Sequence, residues 1–230
     1  MPLDAIALGA IAHELESELV GAKIEKIHQP ERDEILLIIK GNLGGRKLVL
    51  SASSANARMH FVSESKENPA APPMFCMLLR KHLTGGKIVS VKRLGYERVV
   101  DIEISCRNEL GDLTKRHLVC EIMGRNSNII FLDENRRIID SIKHIDLTVS
   151  SVRNILPGLV YMMPPDNGRL SPHNVTLEQI IKMLEDAPEG REAERAITDS
   201  VMGISPLLSG ECVFRACANR KLFIGELSKK

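Results

Sequence analysis

Apolar residues first recur at helical spacing. In LDAIALGAIAHELESELVG (3–21), Leu8, Ile11, Leu15 and Leu19 fall on one face, Asp4 is placed to cap the start, and Gly21 ends the run. The period then falls to two. KIEKIHQ (23–29), EILLIIKG (34–41) and RKLVLSAS (46–53) read as strands, with GNLGG turning between the last two. SSANARMHFV adds a short strand after a Ser/Asn-rich loop, and ESKENPAAPP is a Pro-rich connector. MFCMLLRKHLT (74–84) is the second helix, entered through Pro72-Pro73 and left through Gly85-Gly86. Met74, Cys76, Met77 and Leu78 are its expected core contacts, and Arg80, Lys81 and His82 suit the negative end of its dipole.

From Lys87 to Lys143 the pattern is one of consecutive antiparallel strands: KIVSVKRL, RVVDIEISCR, KRHLVCEIM, SNIIFLD and RIIDSIKHI. Alternation in VVDIEIS predicts one buried and one wet face. The expectation is an α+β chain: a β-sandwich or barrel with flanking helices. RNILPGLVYMMPPDNGRLSPHN (153–174) is rich in Pro, Gly and Asn and reads as an irregular linker or a winding edge. After it the period is helical: TLEQIIKMLEDA opens on a capping-box-like Thr176, REAERAITDSVM follows, and GISPLLSGECVFRACANR begins with a tight turn. Helix, Gly-containing turn and helix is the pattern of a helix-hairpin-helix element and equally of any small helical bundle. The expected division is a β domain over 1–170 and a small helical domain over 171–230, the latter poorly closed and so incomplete.

Composition narrows the functional classes. With 43% hydrophobic and 27% charged residues the chain is globular. It has no Trp, two Tyr and five Phe, too few for a single-strand binder built on aromatic stacking. The five cysteines lack C-x-x-C spacing and mostly sit in apolar runs, as reduced, packed thiols of a cytoplasmic protein do. No apolar run approaches membrane-spanning length, and no secretory leader pattern is present, so no membrane partner is expected. Net charge is only +1, but it is uneven. Arg80 to Arg98 holds six basic residues against Glu97 alone, while Glu178 to Asp199 holds seven acids against three bases. An anionic partner would therefore sit on the first part.

No G-x-S-x-G, P-loop, G-x-G-x-x-G or H-E-x-x-H occurs, and His82, His117 and His144 lack metal-ligand spacing, so no catalytic residue, metal or cofactor is expected. Pro2, once exposed as a secondary amine, is a conceivable Schiff-base nucleophile, but a proline at the start of a helix explains it as well. Three loops carry binding chemistry. Glu97-Arg98 puts a carboxylate beside a guanidinium able to fork onto phosphate. Gly124-Arg125-Asn126-Ser127-Asn128 lets backbone N–H groups approach a partner beside a positive charge. Ser53 to Arg58 is again a run of small residues leading to an arginine.

At these residues the sequence resembles the NFACT family, also known as the fibronectin-binding protein A type, whose bacterial ribosome-quality-control members are of the RqcH kind. The resemblance is carried by ARMHF (57–61), NPAAPPMFCMLLRKHLTGGKI (68–88), YERVV (96–100), MGRNSNIIFLD (123–133), IIDSIKH (138–144), PGLVYMMPP (157–165) and GISPLLSGE (203–211). It implies an N-terminal domain similar to that of formamidopyrimidine DNA glycosylases, followed by a helix-hairpin-helix domain. It also implies partners: tRNA, and the large ribosomal subunit carrying peptidyl-tRNA, with alanyl-tRNA recruited to tail the stalled chain. Fibronectin is the alternative partner that the older family name implies. The family's acidic-Arg step matches Glu97-Arg98, with Glu where Asp is common, and its Gly-Arg-His-Ser-Asn turn matches Gly124 to Asn128, with Asn126 where His is usual. An acid–base role at 126 is thereby removed, while hydrogen bonding is kept. The implied tRNA-contacting set is Arg58, Glu97, Arg98, Gly124, Arg125 and Asn126. Leu3 stands where the glycosylases follow their N-terminal proline with Glu, which argues against DNA repair chemistry.

Overall fold

A computed structural model describes residues 3–41, 44–146, 148, 152–165, 168–219 and 221–227; Pro2 and the Asn42-Leu43 tip of the GNLGG turn lie outside them. The chain is a mixed α/β fold that divides into two compact units, one of residues 7–164 and one of residues 165–230 together with Asp4–Ile6.

The first unit opens with helix α1 (Ala5–Leu19) and strands β1 (Lys23–Glu31), β2 (Glu34–Gly41), β3 (Gly44–Ser51) and β4 (Arg58–Phe61). Helix α2 (Met74–Leu83) follows, and then β5 (Lys87–Arg93), β6 (Val99–Arg107), β7 (Leu113–Glu121), β8 (Asn128–Leu132) and β9 (Ile138–Ser141). All nine strands belong to one antiparallel sheet in the order β4-β3-β2-β1-β5-β6-β7-β8-β9. The backbone joins its two halves over a short length only, through the register pair Lys23–Lys87 and the flanking bonds Ile88 N–H to Ala22 O at 2.9 Å and Ile24 N–H to Gly86 O at 2.9 Å. They are joined strongly through side chains. Ile35, Leu37, Leu48 and Leu50 of one half and Ile102, Ile104, Leu118, Ile129 and Phe131 of the other share one apolar core with Leu8, Leu15 and Leu19 of α1. β3 and β8 approach each other although they are far apart in strand order. The expected sandwich is thus, in hydrogen-bonding terms, a single sheet whose halves meet over a common core.

Two expectations are corrected. Helix α2 buries Phe75, Cys76, Leu79 and Leu83, while Met74 and Met77 are exposed. Phe75, Leu79 and Leu83 recur every four residues and define the inner stripe, which leaves the two methionines outside. Nor is the outer face of the second half-sheet wet. Val99, Val119, Ile130 and Leu132 pack there under Ile155 and Tyr161, in the stretch that reads as linker or edge from sequence. That stretch is pinned to the sheet by Ile138 N–H to Leu159 O at 2.8 Å and Tyr161 N–H to Arg136 O at 2.8 Å. β8, which is apolar at nearly every position, is buried on both faces for this reason. Among the cysteines, 76, 106 and 120 are buried as expected, but Cys212 is exposed.

Covering an outer sheet face also buries its charges. Glu121 accepts two hydrogen bonds from Arg153, at 2.8 and 2.6 Å, and one from the Tyr161 hydroxyl at 2.8 Å. Arg153 also donates to Met162 O at 2.8 Å. Burial and the neighbouring carboxylate push the Tyr161 phenol up, so it stays a donor. Nearby, Asp101 takes hydrogen bonds from Arg136 and from His117 Nδ1, the latter at 3.1 Å. Burial by itself would raise the Asp101 carboxyl, but these two bonds outweigh it and hold the group below its usual value.

The second unit is helical: α3 (Leu177–Glu185), α4 (Ala193–Ser200), α5 (Pro206–Cys217) and the single turn α6 (Ile224–Leu227). Thr176 and Gln179 form the capping box that the sequence signals, and Ser205 caps α5 with Pro206 at its first position. Ala193, Ala196, Val213, Leu222 and Ile224 make a small separate core.

Arg153→Met leaves the Glu121 carboxylate buried without its guanidinium, and should cost about 3–5 kcal/mol in urea denaturation. The lowered Asp101 carboxyl contributes stability above the ordinary carboxylate pKa that is lost as pH falls through the folded-state value. Asp101→Asn should therefore be less stable than the parent at pH 7, with the gap closing below about pH 4. Thermal melts across that range check this.

Candidate RNA-binding surface

The strand ends decide which loops are neighbours. In an antiparallel sheet alternate connections lie at the same end, and the register pairs Glu34 with Ser51, Ser51 with Arg58, Val99 with Glu121, and Glu121 with Asn128. The 94–98 and 122–127 turns therefore share one end of the second half-sheet, and the 31–34 and 52–57 turns share one end of the first. The common core brings these two ends together: a side chain at Gly124 would meet Ser54 O at 3.8 Å.

The Gly124 turn is a short 3-10 helix, Gly124–Asn126, with Gly124 at φ +60°. A left-handed φ favours glycine, which has no Cβ to clash with the carbonyl. The polar residues of the turn divide by job. Ser127 Oγ accepts from Met123 N–H at 2.8 Å, and the buried Asn128 donates to Lys143 O at 2.8 Å and accepts from Lys143 N–H at 3.1 Å. Arg125 and Asn126 are exposed. Ser127 and Asn128 are thus internal staples, and the surface chemistry rests on Gly124, Arg125 and Asn126.

Glu97 and Arg98 lie in the adjoining turn, where Leu94 N–H bonds to Val99 O at 2.9 Å and Ile122 N–H to Arg98 O at 2.8 Å. The second bond places Arg98 two residues from Gly124 along the neighbouring chain. Arg98 is half-buried, and Glu97 is only 8% exposed, more enclosed than an open loop carboxylate. Arg93 stacks its guanidinium over the Tyr96 ring at 4.5 Å, stiffening the same turn. Arg58 behaves differently from the other candidates. Its guanidinium donates to the buried Glu34 carboxylate at 2.8 Å and to Asn56 O at 3.0 Å. It is near the surface but committed to an internal pair, which Lys66 completes at 3.2 Å from the same Glu34 oxygen. The basic cluster of 80–98 is likewise dispersed: Arg80 donates to Ile27 O at 2.7 Å and Lys81 pairs with Glu109 at 2.8 Å.

Lys143 is the residue that sequence reasoning passed over. Its ammonium donates to Ala52 O and, at 3.0 Å, to Ser127 O, so one side chain ties the 52–57 loop to the Gly124 turn. Burial lowers the Lys143 pKa from the usual lysine value; Asp33 opposes that shift and Arg32 adds to it. No residue type or spacing in RIIDSIKHI marks this lysine, because both its acceptors are backbone carbonyls of distant segments. Among the described residues no group of three or more His, Cys, Asp or Glu is arranged to hold a metal, and no helix is long and apolar enough to cross a membrane.

Lys143→Met should unfasten the two loops from each other. Amide hydrogen exchange in 52–57 and 124–128 should accelerate at least tenfold while the β6 and β7 amides stay protected, with a global loss of about 1–3 kcal/mol.

Residues 4–230 match the profile of the NFACT N-terminal and middle domains. The chain is 41% identical over 217 residues, 94% of its own length, to the Rqc2 homolog RqcH of Bacillus subtilis, and 38% identical over 186 residues to RqcH of Streptococcus pneumoniae. It spans only 38% and 34% of the length of those two relatives. The crystal structure of the N-terminal domain of the fibronectin-binding protein PavA from Streptococcus pneumoniae superposes with a TM-score of 0.83 at 32% identity, covering 98% of this chain and 82% of that one. With the family profile matched over nearly its whole length, this chain belongs to the NFACT family, of which it carries the N-terminal and middle domains.

Proposed function

We propose that this chain is the tRNA- and large-subunit-binding module of a ribosome-quality-control factor, working in the cytoplasm on stalled peptidyl-tRNA complexes and recruiting alanyl-tRNA to tail the nascent chain. It acts by binding and carries no catalytic group of its own. The observation that carries this reading is the juxtaposition of the 94–98 and 122–127 turns, through the Ile122 N–H to Arg98 O bond, with Arg98 and the exposed Arg125 as the phosphate-facing cations. The relatives named RqcH support the pathway, and the glycine at φ +60° supports close approach of a nucleic-acid backbone to the turn. Asn126 supplies an amide and no titratable group, in keeping with holding an RNA and not reacting with it. Glu97, largely enclosed, acts mainly by fixing the turn that carries Arg98, and Arg58 supports the surface from beneath through Glu34.

In the second unit α4, the turn at Gly203 and α5 form the proposed helix-hairpin-helix element, an arrangement suited to backbone phosphates. The proposed likeness of the first unit to formamidopyrimidine DNA glycosylases extends to its sandwich architecture and not to their chemistry. Fibronectin binding is the less favoured alternative: that activity is in the name of the PavA neighbour, while the relatives over most of this chain carry the RqcH name.

Arg125→Ala should weaken tRNA binding about tenfold at moderate salt and reduce the slope of log K against log salt by about one. Glu97→Ala with Arg98→Ala should abolish tRNA recovery by the full-length protein while circular dichroism shows the fold intact. Unchanged recovery from both variants would remove these turns from the binding surface.

A further inference from the structure

Lys143 also forms the floor of a cleft of about 690 Å³, walled by Arg32 and Asp33 of the β1–β2 turn, Ser54, Ser141 and His144. That volume lies within the ~300–1,000 Å³ range of sites that enclose a small ligand. The reading above leaves the cleft without a role.

Its chemistry limits what it can hold. Arg32 and Lys143 are cations, but Asp33 and Glu31 line the same space, and Glu31 shares Lys66, at 2.6 Å, with Glu34. Such a mixed field gives a bare anion little advantage and suits a neutral group that both donates and accepts. The Arg32 guanidinium makes no hydrogen bond or ion pair among the described residues, and it is exposed. Lys143 has three ammonium N–H groups and commits two, to Ala52 O and Ser127 O. Asp33 supplies an acceptor, and the exposed Ser54 hydroxyl either donates or accepts. Two flat groups, the Arg32 guanidinium and the His144 imidazole, stand in the walls. His144 is oriented by Asp140, 2.6 Å from its Nε2. Flat cation, flat ring and mixed donors are the equipment that reads an unstacked base on its face and edge.

Continuity with the Gly124 turn decides the occupant. Ser54 belongs to the cleft wall, and its carbonyl is the atom that a side chain at Gly124 would meet; Lys143 lines the cleft and donates to Ser127 O. An RNA strand held at Arg125 therefore passes the mouth of the cleft. A peptide could use the same donors and acceptors and stack an aromatic side chain, but it has no run of phosphates to be held by the arginine of the neighbouring turn. We propose that this cleft takes a single unpaired nucleotide of the bound RNA, its base stacked on Arg32 and its polar edge hydrogen-bonded by Asp33 and Ser54. The proposal rests on the RNA-binding reading of the Gly124 turn.

The test is photo-crosslinking of the protein to tRNA transcribed with 4-thiouridine, with the adducts mapped by peptide sequencing. The expected result is two sites of adduct, one in 123–128 and one at the cleft residues. Arg32→Ala should remove the second alone and lower tRNA affinity about tenfold, as for loss of one stacked base. His144→Ala gives a second, independent loss should the first variant fold poorly. Adducts in 123–128 without any at the cleft, or unchanged affinity in both variants, would overturn the nucleotide site and leave the RNA-binding reading standing. Absence of adducts at both places, together with no measurable tRNA affinity, would instead bring down that reading itself.

Discussion

The constraint on which the first unit depends is that both halves of its sheet bury their inner faces in the same core. β1 and β5 are joined over a short length only, by the Lys23–Lys87 pair and the backbone hydrogen bonds that flank it, which leaves the angle between the halves to be set elsewhere. The inner rows of Ile, Leu and Val, closed off by α1 and α2, do that instead, because exposing either row would cost roughly 25 cal/mol per Å² of apolar surface. Once the rows meet, β3 comes near β8, and loops at the ends of distant strands become neighbours. The convergence of the 52–57 loop on the Gly124 turn is a consequence of hydrophobic burial, and Lys143 then fixes its fine geometry with two hydrogen bonds.

The same economy governs the outer face of the second half-sheet. Ile155 and Tyr161 cover Val119, Ile130 and Leu132, and this cover forces Glu121 and Asp101 out of water. Each carboxylate is then satisfied by an arginine from the covering stretch or the turn before it, Arg153 in one case and Arg136 in the other. Buried charges of this kind add little net stability, but breaking one is costly, so they favour the seating in which Arg153 and Arg136 reach their carboxylates. Residues 152–163 form no strand or helix and would otherwise have many ways to lie on an apolar sheet. The proposed surface lies at the edge of this rigid platform, which suits a function that depends on holding a partner in one register.

How far the site was legible follows from what each residue answers to. Arg125 and Asn126 were readable because a glycine turn with four hydrogen-bonding side chains is more polar than a hairpin needs, although only tertiary contacts separate those two from the stapling Ser127 and Asn128. Glu97-Arg98 was readable as an acid–base pair in a turn, but not the enclosure of Glu97. The ion pair of Arg58 was not legible, since its partner Glu34 lies 24 residues away and nothing local announces it. Lys143 was not legible because the carbonyls it meets, Ala52 O and Ser127 O, belong to segments far away in sequence.

By itself the sequence determined the order and kind of the elements: the helical period of α1, the alternation of β5 to β7, the proline and glycine that bracket α2, and the Thr176 capping box. These are local properties, set by backbone sterics and by the spacing of apolar residues over a few turns or pleats. Only the tertiary structure decided that α2 turns its methionines outward, that both faces of β8 are dry, and that the 52–57 loop meets the Gly124 turn. Those outcomes depend on which surfaces meet across the core, and a chain's local periodicity carries the face of each element but not the identity of its neighbour.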